Sequence, residues 1–310
     1  MLSNTPIRYM MPVDRPRRVG RPRLALGLAT AFVLVWSSGY LVGDLGTSAS
    51  PPLTLIFWRF LLATAVIGTV ALMARAPWPA RPRDWLRPAA AGVLLQTVQF
   101  AGIYDGLSLG VSAGLASLIV SASPLVIAVA AVVLDGERLR PAGWLGLALG
   151  LAGVGVAVSA ELSGGARLTG ILFVVLGLAG FVAGTVLQKH APVSADLRTA
   201  TTIQMGAATV TAAPLAAISG GFALPLTTTA IGSVVWLAVV NSVGGLLLLF
   251  VLLRRRSGAG ATSYLFVVPP VTALLAVPIL GQPLHLAALA GVALAAVGVG
   301  LVSRSERRPA

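Results

Sequence analysis

Between Asp44 and Arg75 the chain carries one charge, Arg59. It lies about six residues into an apolar run, so roughly 9 Å below the nearer end of a helix built from that run. A charge at that depth in hydrocarbon costs about 2–3 kcal/mol or more unless it snorkels, pairs or meets water. Two chemistries fit: recognition of an anionic group such as a substrate carboxylate, or a structural ion pair. Asp44 and Asp105, both near helix ends, are the acids within reach for the second.

Uncharged polar residues stand in other apolar runs. Gln96 and Gln99 are three apart and share one helix face, which Tyr104 approximately continues. Asn241 sits in the middle of a later run. Amides at the centre of a bilayer need partners, so they face other helices or a wet cavity rather than lipid. Trp36 is mid-run, whereas Trp58, Trp78, Trp85, Trp144 and Trp236 lie in loops or near run ends, where an interfacial belt accounts for them. Trp36 is therefore either a cavity wall or packed on a glycine, Gly39 or Gly184. Tyr264 and Ser121 complete the set of candidate substrate-binding residues, with Ser121 and Ser123 also placed to satisfy carbonyls freed near a kink.

Other chemistries find no support. The sequence has no cysteine, and its two histidines, His190 and His285, are far apart. That argues against thiol catalysis, a metal site and any cofactor. No phosphate loop occurs, and no acid, base and nucleophile cluster at one depth, so an enzyme is not expected. No carboxylate occupies the centre of a run, which argues against proton coupling through a buried acid. Asp44, Asp105 and Glu137 remain as carriers for a coupling proton, or another ion serves. Glu137, beside Asp135, Arg138 and Arg140, reads as a solvated ion-pair cluster.

The elements that hold these residues follow from composition. The chain of 310 residues is 57% hydrophobic and 10% charged, with a mean hydropathy of +0.92. A soluble domain carries roughly 25% charge, so this is an integral membrane protein. Ten apolar runs stand out: 24–44, 53–74, 88–109, 113–134, 142–160, 168–188, 199–219, 231–253, 258–280 and 285–303. Each approaches the roughly 20 residues that span a bilayer as a helix. Pro124 and Pro269 fall mid-run and predict kinks, which are bending points or static shaping. Gly146 and Gly291, like Gly39 and Gly184, allow close helix packing, within the bundle or at a weak dimer face.

Of the 22 Lys and Arg residues, 20 fall in the two tails and in the loops after the second, fourth, sixth and eighth runs. By the positive-inside rule both termini are cytoplasmic. This distribution, rather than nucleic acid, explains the net charge of +13. The basic stretch 1–23 reads as a cytoplasmic tail rather than a cleaved signal, its first part disordered. Residues 304–310 form a second tail.

A shift of 145 positions lays 113–158 on 258–303 without a gap, and 15 of those 46 pairs are identical. Pro124 meets Pro269, Gly136 meets Gly281 and Gly146 meets Gly291. The same shift maps Gly39 to Gly184, Arg59 to Gln204 and Gln96 to Asn241. Five runs per half is an odd number, so the halves must sit with opposite orientation. The fold class expected is an all-α membrane protein of ten transmembrane helices, arranged as two inverted five-helix repeats at 24–160 and 168–303.

With these residues in view, the chain resembles the EamA-type branch of the drug/metabolite transporter superfamily. The likeness rests on Trp36-Ser37-Ser38-Gly39, Arg59-Phe60-Leu61-Leu62, Ser112-Ala113-Gly114, Pro124, Gly136-Glu137-Arg138-Leu139 and Leu145-Gly146 through Gly153-Val154, with Pro269 and Gly281 in the second half. The family often has Gly-Glu in both halves, whereas here the second is Gly281-Gln282. The resemblance implies a cavity between the halves and export of small metabolites, amino acids or drug-like compounds, in a bacterial-type plasma membrane. The partners expected are a small-molecule substrate and membrane lipids, without nucleic acid, in a monomer or weak homodimer. A non-transporting scaffold and a membrane-embedded enzyme are the readings from other classes.

Overall fold

The computed structural model describes residues 22–190, 196–255, 265, 267–284 and 286–306. Among them the chain runs as ten helical spans. The first half contributes α1 (Pro22–Ala49), α2 (Pro52–Met73), α3 (83–108), α4 (Ala113–Asp135) and α5 (Pro141–Ser163). The second contributes α6 (Leu168–His190), α7 (Leu197–Ser219), α8 (228–255), α9 (Val268–Leu280) and α10 (Leu286–Glu306). Six of them are long and apolar enough to cross a membrane by length and composition, and α9 and part of α10, Leu289–Val302, are shorter apolar helices. Leu72, Val133, Leu172 and Val210 turn outward, as lipid-facing side chains do.

Local chemistry sets the helix ends. Ser112, Asp196 and Thr227 cap α4, α7 and α8, each side chain accepting from a backbone N–H of the first turn. Arg198 hydrogen-bonds the Asp196 carboxyl and holds its pKa down at about 2. Gly136 and Gly281 stop α4 and α9 in the left-handed region, both at φ +67°. A residue with a β-carbon is strained there, so the repeat has kept the same stop twice.

The packing obeys the 145-residue relation. α2 lies on α7, α4 on α9 and α5 on α10. α1 packs against α8 and α9, while α6 packs against α3 and α4, which is the same arrangement with the halves exchanged. The Thr64 and Thr209 hydroxyls, 145 residues apart, meet at 3.2 Å. At the α5–α10 crossing, a β-carbon on Gly146 would lie 2.5 Å from the Gly298 carbonyl oxygen, and one on Gly153 would lie 2.5 Å from that of Gly291. Numbers rise along one helix as they fall along the other, so these equivalent helices are antiparallel. The two halves are an inverted pair about a pseudo-two-fold axis passing near Thr64 and Thr209. The glycines expected at a packing face thus lie inside the bundle.

The proline expectations need correction. α4 is not one kinked helix: it breaks at Ala122 and restarts at Ser123, with Pro124 in the first turn of the new segment. Proline fits there because a first-turn N–H has no helical partner. Pro269 likewise sits in the first turn of α9. Neither Ser121 nor Ser123 bonds a carbonyl freed at the break, among the described residues.

Candidate functional site

The break that matters most lies in the third helix of each half. α3 passes through a π-helical turn at Val93–Val98 and α8 through one at Trp236–Gly244. These segments are equivalent under the repeat and carry Gln96 and Asn241. A π-turn admits one extra residue and re-aims the side chains around it, a device frequent at functional sites.

Asn241 and its neighbour Ser242 are consequently turned toward Arg59. Arg59 is 1% exposed. It donates from Nε to Ser242 Oγ at 3.2 Å, from Nη1 to the Tyr104 hydroxyl at 2.5 Å and from Nη2 to Asn241 Oδ1 at 3.0 Å. The Phe100 ring lies under the guanidinium, 3.9 Å from its centroid, a cation–π contact worth about 2 kcal/mol when desolvated. The acceptors are themselves fixed. Asn241 Nδ2 donates to the Val35 carbonyl at 2.8 Å and Ser242 Oγ to that of Leu237 at 2.9 Å. Gly39 and Gly43 on α1 make room, since β-carbons there would lie 2.6 Å from the Asn241 amide and from the Tyr104 ring.

The pairing of Arg59 with Asp44 or Asp105 is not found. The reason is helical phase. Tyr104 faces Arg59 and Gly43 faces the Tyr104 ring, and the residue after each is turned about 100° away. Among the described residues Arg59 has no carboxylate partner. A buried charge without a counter-charge costs several kcal/mol.

These groups line a cavity of about 340 Å³ built from both halves. Trp36, Arg59, Gln96, Gln99, Tyr104 and Asn241, all singled out from the sequence, line it together. Trp36 packs on Phe32, ring centroids 4.8 Å apart, and not on Gly39 or Gly184, which receive Asn241 and Leu95. Gln96 and Gln99, with Gln188 and Gln204, also line the space, and their side chains make no hydrogen bond to protein among the described residues. They therefore do not knit helices together, as Asn241 does. From Arg59 the cavity reaches Gln188, which is exposed at the end of α6.

Ser121 lies elsewhere, in a narrow apolar gap with Pro269 and Val299. Tyr264 lies outside the described residues. The sequence reading missed Phe100 and Ser242, and the adjacency of Ser242 to Asn241 was the available signal. It also missed Glu161, a buried carboxylate in the last turn of α5 that accepts from the Ser112 N–H at 2.5 Å. Glu137 and Asp135 do not pair with Arg138 or Arg140. They meet Lys189 at 3.3 and 2.6 Å, because α4 packs against α6 of the other half. Among the described residues no three His, Cys, Asp or Glu side chains converge to hold a metal.

Comparison with known proteins adds three findings. A model of the EamA-like transporter family matches residues 23–159 and again 168–304. The chain is 30% identical over 282 residues to a probable terminal-alkyne amino-acid exporter of Streptantibioticus cattleyicolor, covering 88% of this chain and 91% of that one. It is 29% identical over 264 residues to the uncharacterized inner membrane transporter YedA of Escherichia coli K12, covering 83% of each. A solved crystal structure superposes with a TM-score of 0.59 at 23% identity, over 92% of this chain and 98% of that one, a likeness of fold.

Proposed function

The chain belongs to the EamA-like transporter family, and we propose that it exports small organic metabolites of the amino-acid kind by exposing the Arg59 cavity to one membrane face and then the other. It is a transporter and not an enzyme. One observation carries the finer reading: a fully buried guanidinium, lacking a carboxylate partner, faces a cavity assembled from both halves. A substrate carboxylate supplies the missing negative charge. The unbonded amides of Gln96, Gln99, Gln188 and Gln204 offer oxygens to an ammonium group, and Trp36 offers a ring face. At about 340 Å³ the cavity lies within the roughly 300–1,000 Å³ of small-molecule sites. The name of the Streptantibioticus relative supports an amino-acid substrate. The Lys and Arg distribution supports cytoplasmic termini, which puts the Gln188 end of the cavity on the cytoplasmic side, where an exporter loads.

The test is transport in proteoliposomes of three matched probes: an apolar amino acid, its deaminated carboxylic acid and its decarboxylated amine. The two acids are expected to move and the amine to move poorly. Arg59→Gln should reduce transport of the acids about ten- to a hundredfold, the loss of one charge-assisted interaction. Equal transport of the amine, or an Arg59→Gln protein as active as the parent, would remove the carboxylate from the proposal.

A further inference from the structure

Two contacts outside the cavity tie one half of the molecule to the other, and the repeat converts one into the other. At one face Lys189, at the end of α6, donates to Glu137 Oε1 at 3.3 Å and to Asp135 Oδ2 at 2.6 Å, just beyond and at the end of α4. At the opposite face Gln282, just beyond α9, donates from Nε2 to Asp44 Oδ2 near the end of α1, at 3.4 Å. Adding 145 takes Asp44 to Lys189 and Glu137 to Gln282. The two contacts thus occupy one architectural place at opposite faces, and each crosses between halves. Both members differ in type between the copies. The α6 residue is a cationic donor where its α1 mate is an anionic acceptor, and the partner differs to match. Attraction is preserved although no residue is shared, which unrelated surface contacts have no reason to do.

Their surroundings are unequal. Lys189 and Glu137 side chains are 51% and 54% exposed, and Asp135, which also meets His190, is 21% exposed, so water and salt weaken this cluster. Gln282 and Asp44 are part-buried, and Gln282 does more. Its Oε1 accepts from the Ala113 N–H at 3.1 Å, next to the Ser112 N–H that Glu161 holds at 2.5 Å. One amide therefore clasps α1 and the start of α4 together. The cavity follows this inequality: it reaches Gln188, beside Lys189, and at its other end stops at the buried Tyr104 ring, which packs on Gly43, the neighbour of Asp44.

We propose that Gln282–Asp44 and Lys189–Glu137 are paired latches of one rocking movement. Both are made in this structure; releasing the first opens its face and shortens the Lys189–Glu137 contact from its 3.3 Å, and their unequal strength sets the resting conformation, open toward Lys189. The inference rests on alternating access but on no particular substrate.

The test is amide hydrogen exchange on the full chain in lipid nanodiscs, with no ligand added. Gln282→Leu is expected to raise exchange at residues 110–116 about tenfold to a hundredfold, as loss of two net hydrogen bonds, to Asp44 and from Ala113, does. It should lower exchange at 133–138 and 186–190, on the other face. Lys189→Leu should give the reverse pattern. The double variant Asp44→Asn with Gln282→Glu, which swaps amide and carboxylate, should exchange like the parent. A rise confined to the altered face, or a rise at both faces together, overturns the coupling. Because the sequence contains no cysteine, D44C with Q282C gives an arm that carries its own folding control. Oxidation should hold that face shut and raise exchange at 133–138, and reduction should reverse the effect. Exchange unchanged on oxidation also overturns the proposal.

Discussion

Arg59 shows how one side chain is held in a place where it is costly. Three neutral acceptors and one aromatic ring replace its water, and none of them cancels its charge. The acceptors are therefore stabilising parts, and under the proposed function the unbonded amides are the parts that choose a ligand. Two substitutions separate these roles. Asn241→Leu removes the bond to Arg59 and the bond to Val35, and leaves a buried donor unsatisfied at a cost of about 1–3 kcal/mol. It should lower the thermal unfolding midpoint and the yield of folded protein. Gln96→Leu, at the repeat-equivalent position, breaks no protein hydrogen bond. It should leave the midpoint near that of the parent and change the order in which a panel of amino acids stabilises the protein. If Gln96→Leu unfolds the protein as readily as Asn241→Leu does, the amide is structural. Similarly, Tyr104→Phe leaves Arg59 Nη1 without its 2.5 Å acceptor. It should destabilise the ligand-free protein more than the protein bound to a carboxylate, which replaces the lost acceptor. Melting curves with and without ligand measure that difference.

At the scale of elements, closeness and phase decide what a substitution does. α5 and α10 approach until backbone meets backbone at Gly146 and Gly298, whereas a β-carbon on Gly155 meets nothing within 4 Å. Gly146→Ala should therefore destabilise by about 1–3 kcal/mol through overpacking. Gly155→Ala should be neutral or stabilise by up to about 1 kcal/mol, the helix-propensity difference. Thermal denaturation of the two variants side by side checks the crossing. Such close packing was legible in the sequence because glycines recurred at matched positions of the two copies. The π-turns were not, because Val93-Leu94-Leu95-Gln96-Thr97-Val98 has the composition of any apolar helix and nothing in it announces an inserted residue. The acids near Arg59 were misread for a related reason. Depth along a helix can be counted from sequence, but which way a residue faces depends on the packing partner. Lys189 was missed as the partner of Glu137 because the contact is made by α4 crossing to the other half, and the local charge run gives no sign of it.

For the whole molecule, duplication supplies the architecture and divergence supplies the function. The axis near Thr64 and Thr209 relates the halves, but the residues nearest the ligand space obey it poorly: Arg59 answers to Gln204, and Gln96 to Asn241. Under the alternating access proposed above, a symmetric frame gives two equivalent conformations, one facing each side. An asymmetric lining gives a single charged anchor instead of two competing ones. The frame was legible because proline and glycine positions survive in register. The lining's arrangement was not, because both members of each pair turn inward and the π-turns that aim Gln96 and Asn241 leave no mark in the sequence. The orientation expected across the membrane rests on charge alone and can be checked alone. The cysteine-free sequence allows single reporters at exposed positions, Ser163→Cys at the end of α5 and Ala80→Cys between α2 and α3. In intact cells a membrane-impermeant maleimide should label Ser163→Cys and leave Ala80→Cys unlabelled until the cells are permeabilised. The opposite pattern would keep the inverted pair but turn it over, so that the Gln188 end of the cavity loads from outside and the protein is an importer. Labelling of both positions in intact cells would break the alternation of loops on which the inverted repeat itself depends.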